Sequence, residues 1–275
     1  MLGKPSYTIS TSDGINLFVR DYSVENSNIV LLFIHGLGEH SGRYLNYIQE
    51  FNNHNISIFT IDTRGHGKSE GRRGHSPSYD KLMSDINVFV NHVKDIAPNQ
   101  NYILYGHSMG GNLVINYSIK NDKNINGIIA SSPAIKPAIQ PIKIKIILAK
   151  LFQKIIPNIR LNNGLDINGI SKDPKVIEDY KNDPLNHDRL SIQLGLDLIS
   201  SGNYALNNSY KITVPMLVFH GKKDRLTSYE ASEKLESNSK SKVKFIGFKN
   251  AYHEIHNDTE QEELLTNIFN WIKSI

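Results

Sequence analysis

The stretch Asn101–Lys120, NYILYGHSMGGNLVINYSIK, decides how the rest of the chain is read. Its opening NYILY is an apolar run of strand length, while GNLVINYSIK repeats its apolar residues at helical spacing. Between them stands one serine flanked by glycines. Gly106, Ser108 and Gly110 match G-x-S-x-G, a pattern that carries meaning where a strand runs directly into a helix, as it does here. Glycines allow close backbone approach, and the helix N-terminus behind the serine favours negative charge that develops there. The stretch therefore predicts a sharp strand-to-helix turn that presents Ser108 as a candidate nucleophile. The competing reading is a glycine turn with a purely structural role.

Runs of the same kind recur along the chain. They are IVLLFIHG (29–36), ISIFTID (56–62), INGIIASSP (125–133), VPMLVFHG (214–221) and VKFIGF (243–248). Uninterrupted apolar, β-branched runs separated by helical stretches suit strands buried on both faces, so the predicted class is α/β with a mostly parallel sheet and helices on both sides. The N-terminal YTISTSDGINLFVRDY (7–22) alternates around Asp13-Gly14, a dipeptide suited to tight turns, and predicts an antiparallel hairpin at a sheet edge. The alternation stops between Pro133 and Tyr210. Residues 134–210 are accordingly predicted to be an inserted, mainly helical cap, with 1–133 and 211–275 as the two parts of the core.

Within that insertion, PIKIKIILAKLFQKIIP (141–157) reads as an amphipathic helix. At about 100° per residue, Lys143, Lys150 and Lys154 fall on one stripe, opposite Ile144, Leu148, Leu151, Phe152 and Ile155. Such a helix either packs its apolar side on the body or lays it on a membrane surface with lysines beside the headgroups.

Composition narrows the classes. With 39% hydrophobic and 21% charged residues among 275, the chain is an ordered globule. The net charge of +4 is dispersed without a basic run, which gives nucleic-acid binding little support. There are no cysteines, so disulfides, thiolate nucleophiles and cysteine-held metals are excluded. No apolar stretch reaches spanning length and the N-terminus lacks a signal-peptide core, so the expected location is cytoplasmic, with any membrane contact peripheral.

A serine hydroxyl needs a base, and the base needs a third group to fix its tautomer and stabilise its charged form. In this fold the expected chain order is serine, acid, histidine. Asp224 in VFHGKKDRLT and His253 in NAYHEIHND each follow a predicted buried strand, in that order. His256 is a rival base three residues on, more in keeping with a contact to the polar end of a substrate. The oxyanion donors are expected from the N–H of Met109, next after the serine, and from Leu37 in HGLGEHSGRY after the first buried strand. His35 reads as structural rather than as a second base. DTRGHGKSEG, with Asp62, Arg64, His66 and Ser69, reads as a self-bonded structural loop.

HGLGEHSGRY, DTRGHGKSEGRRG, GHSMGGN, HGKKDRLT and AYHEIHND, in this order, resemble the monoacylglycerol lipase branch of the α/β-hydrolases, over nearly the whole chain. The branch includes monoglyceride lipases and proteins called lysophospholipases. The resemblance implies Ser108, Asp224 and His253 as the triad and Leu37 and Met109 as oxyanion donors. It also implies that Glu39, Arg43 and His256 lie around the pocket for the glycerol end, although Glu39 and Arg43 could equally form a structural ion pair. The implied substrate is a monoacylglycerol, or alternatively a lysophospholipid or a broader range of carboxylic esters, with no metal or organic cofactor. A noncatalytic ligand-binding protein on the same fold is the reading from another class, which an incomplete triad would favour.

Overall fold

The computed structural model describes residues 6–120 and 125–275. The start of the N-terminal stretch read above for a signal peptide lies outside them. In chain order the strands are β1 (Tyr7–Ser10), β2 (Asn16–Tyr22), β3 (Ile29–Ile34), β4 (Ser57–Ile61), β5 (Asn101–His107), β6 (Gly127–Ser131), β7 (Arg160–Asn162), β8 (Arg189–Ser191), β9 (Met216–Gly221) and β10 (Val243–Phe248). The helices are α1 (Leu45–Asn53), α2 (Tyr79–Ile96), α3 (Met109–Lys120), α4 (Lys143–Gln153), α5 (Pro174–Asn182), α6 (Ile192–Asn208), α7 (Tyr229–Asn238) and α8 (Gln261–Ile272).

Eight strands form one sheet in the order β1-β2-β4-β3-β5-β6-β9-β10. The hairpin β1–β2 turns at Asp13-Gly14, where Gly14 has φ +81°, and joins the sheet antiparallel to β4. From β4 to β10 every neighbouring pair is parallel. All six apolar runs picked from the sequence are these parallel strands.

The two-residue period of a strand sends alternate side chains to opposite faces. Leu32, Ile34, Leu104 and Val218 join a core under α2, α3, α6 and α7, while Leu31, Phe33, Ile103, Leu217 and Phe219 join another under α1 and α8, to which α8 contributes Trp271. Burying one such side chain contributes about 1.5–3 kcal/mol. Both faces are covered, which is why these strands show no polar alternation.

Two glycines make the turn at Ser108 possible. A Cβ on Gly106 would lie 2.2 Å from the Gly110 carbonyl oxygen, and one on Gly110 would lie 2.1 Å from that of Ile34. Ser108 itself has φ +52°, a left-handed conformation costly for a non-glycine residue. It is held there by its N–H, which donates to Ser131 O (2.9 Å), and by its carbonyl, which accepts from Asn112 N (3.0 Å) and Ala134 N (2.9 Å).

Between β6 and β9 the chain forms α4, the small antiparallel pair β7–β8, α5 and α6. Helix α6 buries Leu194, Ala205 and Leu206 in the core shared with α3 and α7. Helix α4 differs, for none of its residues is buried. Ile146 and Ala149 face a cavity, whereas Ile144, Ile147, Leu148, Leu151 and Phe152 are 45% to 60% exposed. The apolar stripe is thus turned away from the body instead of packing on it. Amphipathic spacing identifies the apolar side of a helix but not what covers it.

Because backbone oxygens leave no room at Gly110, Gly110→Ala should destabilise the fold by about 1–3 kcal/mol and lower Tm by roughly 5 °C, checked by calorimetry. An unchanged Tm would mean that the turn relaxes freely.

Candidate active site

Asp224 sits in the turn that leaves β9, and its carboxylate is wholly buried. Oδ1 accepts from the N–H groups of Leu226 (2.7 Å) and Thr227 (3.1 Å). Oδ2 accepts from His253 Nδ1 (2.7 Å), His220 Nε2 (2.9 Å) and the Thr227 hydroxyl (2.8 Å). Burial alone would push this carboxyl up, but the His253 charge and the His220 and His253 hydrogen bonds hold it well below the usual range. Asp224 is therefore an anion at neutral pH.

His253 follows β10. Burial pushes its pKa down, yet the Asp224 charge and hydrogen bond, followed by Glu254 and Glu39, outweigh this and raise it. With Nδ1–H committed to Asp224, Nε2 is the nitrogen free to exchange a proton. The backbone of His253 is fixed as well, since its carbonyl accepts from Ser132 Oγ (2.7 Å) and its N–H donates to Gly169 O (3.4 Å). Ser132 directly follows Ser131, whose carbonyl holds the Ser108 N–H. The end of β6 therefore braces both the serine and the histidine.

His220 and Ser132 escaped the sequence reading, as did Thr227. The only signal was position: His220 lies four residues before Asp224, at the end of the same strand. Its Nδ1 accepts from Ser232 Oγ (2.8 Å), which fixes Nε2–H toward Asp224.

Met109 opens α3, so its N–H has no partner within the helix. Leu37 lies in the loop after β3, which approaches the serine closely: a Cβ on Gly36 would be 3.1 Å from Ser108 Cβ. His35 Nδ1–H donates to Gly36 O (2.7 Å), and its Nε2 accepts from Thr63 N (2.9 Å), which pins this loop. In the neighbouring loop Asp62 accepts from Ser41 N (2.8 Å) and Lys68 N (2.9 Å), and Arg64 pairs with Asp85 at 2.5 Å. His66 Nδ1 lies 3.0 Å from Arg64 O, and Ser69 accepts from Phe18 N (2.7 Å).

Glu39 and Arg43 form an ion pair at 2.5 Å. Glu39 Oε1 also accepts from Gly36 N and Tyr44 Oη, both at 2.6 Å. Arg43 reaches further, to Glu254 Oε1 (2.7 Å) and Oε2 (2.9 Å), and lies 4.6 Å above the Tyr180 ring of α5. Glu254 was not singled out in the sequence, although it adjoins His253. His256 is buried against Tyr44, with ring centroids 4.7 Å apart, and neither ring nitrogen has a partner among the described residues. Burial lowers its pKa to about 4, so it is neutral at pH 7. Of the two histidines, it is His253 that has a carboxylate.

Ser108, Leu37 and Met109 border a cavity of about 630 Å³. Its walls are mostly apolar and include Ile135, Ile146, Leu165, Leu190, Leu196 and Ile199. Glu39, Arg43 and His256 do not line it.

This sheet, with its serine at the strand-to-helix turn, defines an α/β-hydrolase. The pattern of the family described as Hydrolase_4, serine aminopeptidase, S33, matches residues 25–260. A monoacylglycerol lipase from Mycolicibacterium smegmatis is 32% identical over 89% of this chain and 88% of its own length. A solved monoacylglycerol lipase from Paleococcus ferrophilus has 32% identity and a TM-score of 0.83, covering 98% of this chain and 99% of that one. An uncharacterised abhydrolase-domain protein of Dictyostelium discoideum is 35% identical over 96% of this chain, which spans 28% of that longer protein. The chain is a serine hydrolase that belongs to the monoacylglycerol lipase-like family of the α/β-hydrolases. Among the described residues no helix is long and apolar enough to cross a membrane.

Arg43→Met would leave Glu39 and Glu254 buried without their cation. The expected cost is about 3–5 kcal/mol at pH 7, seen as a lowered Tm. Glu254, whose carboxyl Arg43 holds below its usual range, would take up a proton more readily once stranded, so the gap to the native protein should narrow as pH falls. A gap independent of pH would contradict the charge assignment.

Proposed function

We propose that the protein hydrolyses the ester bond of monoacylglycerols to fatty acid and glycerol through an acyl-enzyme. The observation that carries the reading is the 2.7 Å bond from His253 to a buried, ionised Asp224 beside an apolar cavity that contains Ser108. Ser108 Oγ attacks the ester carbonyl as His253 Nε2 removes its proton, and Asp224 stabilises the imidazolium that results. The oxyanion takes hydrogen bonds from the N–H groups of Leu37 and Met109, each worth about 3–4 kcal/mol in such sites. Collapse expels glycerol, which receives the proton from His253. Water, deprotonated by the same nitrogen, then releases the fatty acid and restores Ser108.

The apolar walls suit an acyl chain, and Glu39, Arg43 and His256, which stand behind the cavity wall and not in it, are assigned as supports of the glycerol end. A lysophospholipase is the second reading, favoured by the lysines along α4. For α4 itself we propose peripheral contact with a lipid surface. Ile139, Ile142, Ile155 and Leu161, before and after the helix in the chain, are exposed as well, as are Lys143, Lys150 and Lys154. Residues 134–210 then act as a cap that links the lipid surface to the cavity.

Comparing kcat/KM for 1-monoacylglycerol and lysophosphatidylcholine of equal chain length tests the substrate. A preference for the glyceride is expected, with kcat/KM on that substrate falling about 10⁶-fold in Ser108→Ala; equal or reversed preference would favour the lysophospholipase. Changing Lys143, Lys150 and Lys154 together to Glu should weaken binding to anionic vesicles yet leave hydrolysis of a soluble short-chain ester intact. Unchanged vesicle binding would count against the membrane contact.

A further inference from the structure

Arg43 is one cation between two carboxylates. Glu39 takes one Nη1 hydrogen bond, and Glu254 takes a two-point grip through Nη1 and Nη2. The three side chains are nearly excluded from solvent. Counting charges, +1 on Arg43 against −1 on each glutamate leaves a residual −1 that water and salt screen poorly. Glu254 is the residue that creates this excess, because Glu39 and Arg43 alone would cancel.

The cluster also has a mechanical reach. Glu254 directly follows His253, and its N–H donates to Ile170 O (2.7 Å). Through Arg43 it is joined to Glu39, which holds the N–H of Gly36 beside Leu37. Tyr180, on which Arg43 lies, brings in α5. The loop of the proposed base, the loop of the proposed oxyanion donor and the inserted segment therefore meet on one guanidinium, gripped from the His253 side by Glu254.

We propose that Glu254 is a positioning and specificity residue: acting through Arg43, it sets a second anion behind His253 and selects uncharged glycerol headgroups over phosphate-bearing ones. This rests on the esterase reading above. The groups that face His253 decide whether the excess charge is felt. Asp224 and Thr227 come from the turn after β9, with His220 behind them. His107, from β5, has its ring centroid 4.7 Å away. Glu39 and Arg43 come from the loop and turn after β3, and His256 from the histidine's own loop. Burial lowers both His107 and His256, so neither supplies a positive charge at neutral pH. Asp224, Glu39 and Glu254 against Arg43 leave the surroundings of His253 at −2. That charge favours the imidazolium formed during catalysis and repels a phosphate brought to the same end of the site.

Glu254→Gln tests this, since it removes the charge while keeping the shape and one acceptor for Arg43. Three readouts are expected to move. The acid limb of kcat/KM for monoacylglycerol should shift to lower pH, because an anion near His253 raises its pKa and removing it lowers the pKa. The imidazole titration of His253, followed by NMR without substrate, should shift in the same direction by about one pH unit. The ratio of kcat/KM for 1-acylglycerol phosphate to that for the matching monoacylglycerol should rise about tenfold, the size of one unit-charge interaction across about 10 Å of protein. Equal rate losses on both lipids, with the acid limb and titration unmoved, would reduce Glu254 to a structural role and overturn the proposal. If the unmodified protein cleaves neither lipid, the esterase reading fails separately, and the His253 titration still decides the charge effect.

Discussion

The hydrogen bond from His253 Nδ1 to Asp224 Oδ2 is the contact on which the rest of the site depends. It joins the loops that leave the last two parallel strands, and it determines which imidazole nitrogen is left for chemistry. A buried carboxylate is costly unless every lone pair is met. Here two backbone N–H groups, two histidines and a hydroxyl meet them. Given that satisfaction, the anion survives burial, and its charge in turn keeps His253 basic in surroundings that would otherwise suppress it.

The sheet makes this convergence possible. Parallel strands bring all their C-terminal ends to one edge, so residues distant in sequence meet there without long loops. Ser108 leaves β5, Leu37 follows β3, Asp224 follows β9 and His253 follows β10. The strain at Ser108 is carried by hydrogen bonds to neighbouring strand ends and by the missing side chains of Gly106 and Gly110. Ser132, itself left-handed at φ +40°, closes the arrangement by holding the His253 carbonyl.

Much of this was legible in the chain. The apolar runs marked the parallel strands because burial on both faces removes polar alternation, β10 at the sheet edge being the exception, with Lys244 and Gly247 exposed. Asp13-Gly14 marked the hairpin because few other pairs accept its turn. Ser108, Asp224 and His253 could be proposed because each follows a strand, and strand ends are visible in sequence. His220, Ser132 and Glu254 were not, since their importance lies in partners brought near by folding: Ser232 and Asp224 for the first, the His253 carbonyl for the second, Arg43 for the third. The orientation of α4 was hidden for a related reason. Its spacing has one broad apolar side, yet the cavity is faced by Ile146 and Ala149, and only the tertiary structure distinguishes the two.

We propose Ser108 as a nucleophile activated by His253. The most direct test is to treat the folded protein with a fluorophosphonate ester and locate the adduct by peptide mass spectrometry. A single phosphonyl group on Ser108 is expected, with labelling abolished by unfolding and strongly slowed in His253→Ala. Absence of label, or label on another serine at equal rate in both proteins, would contradict it.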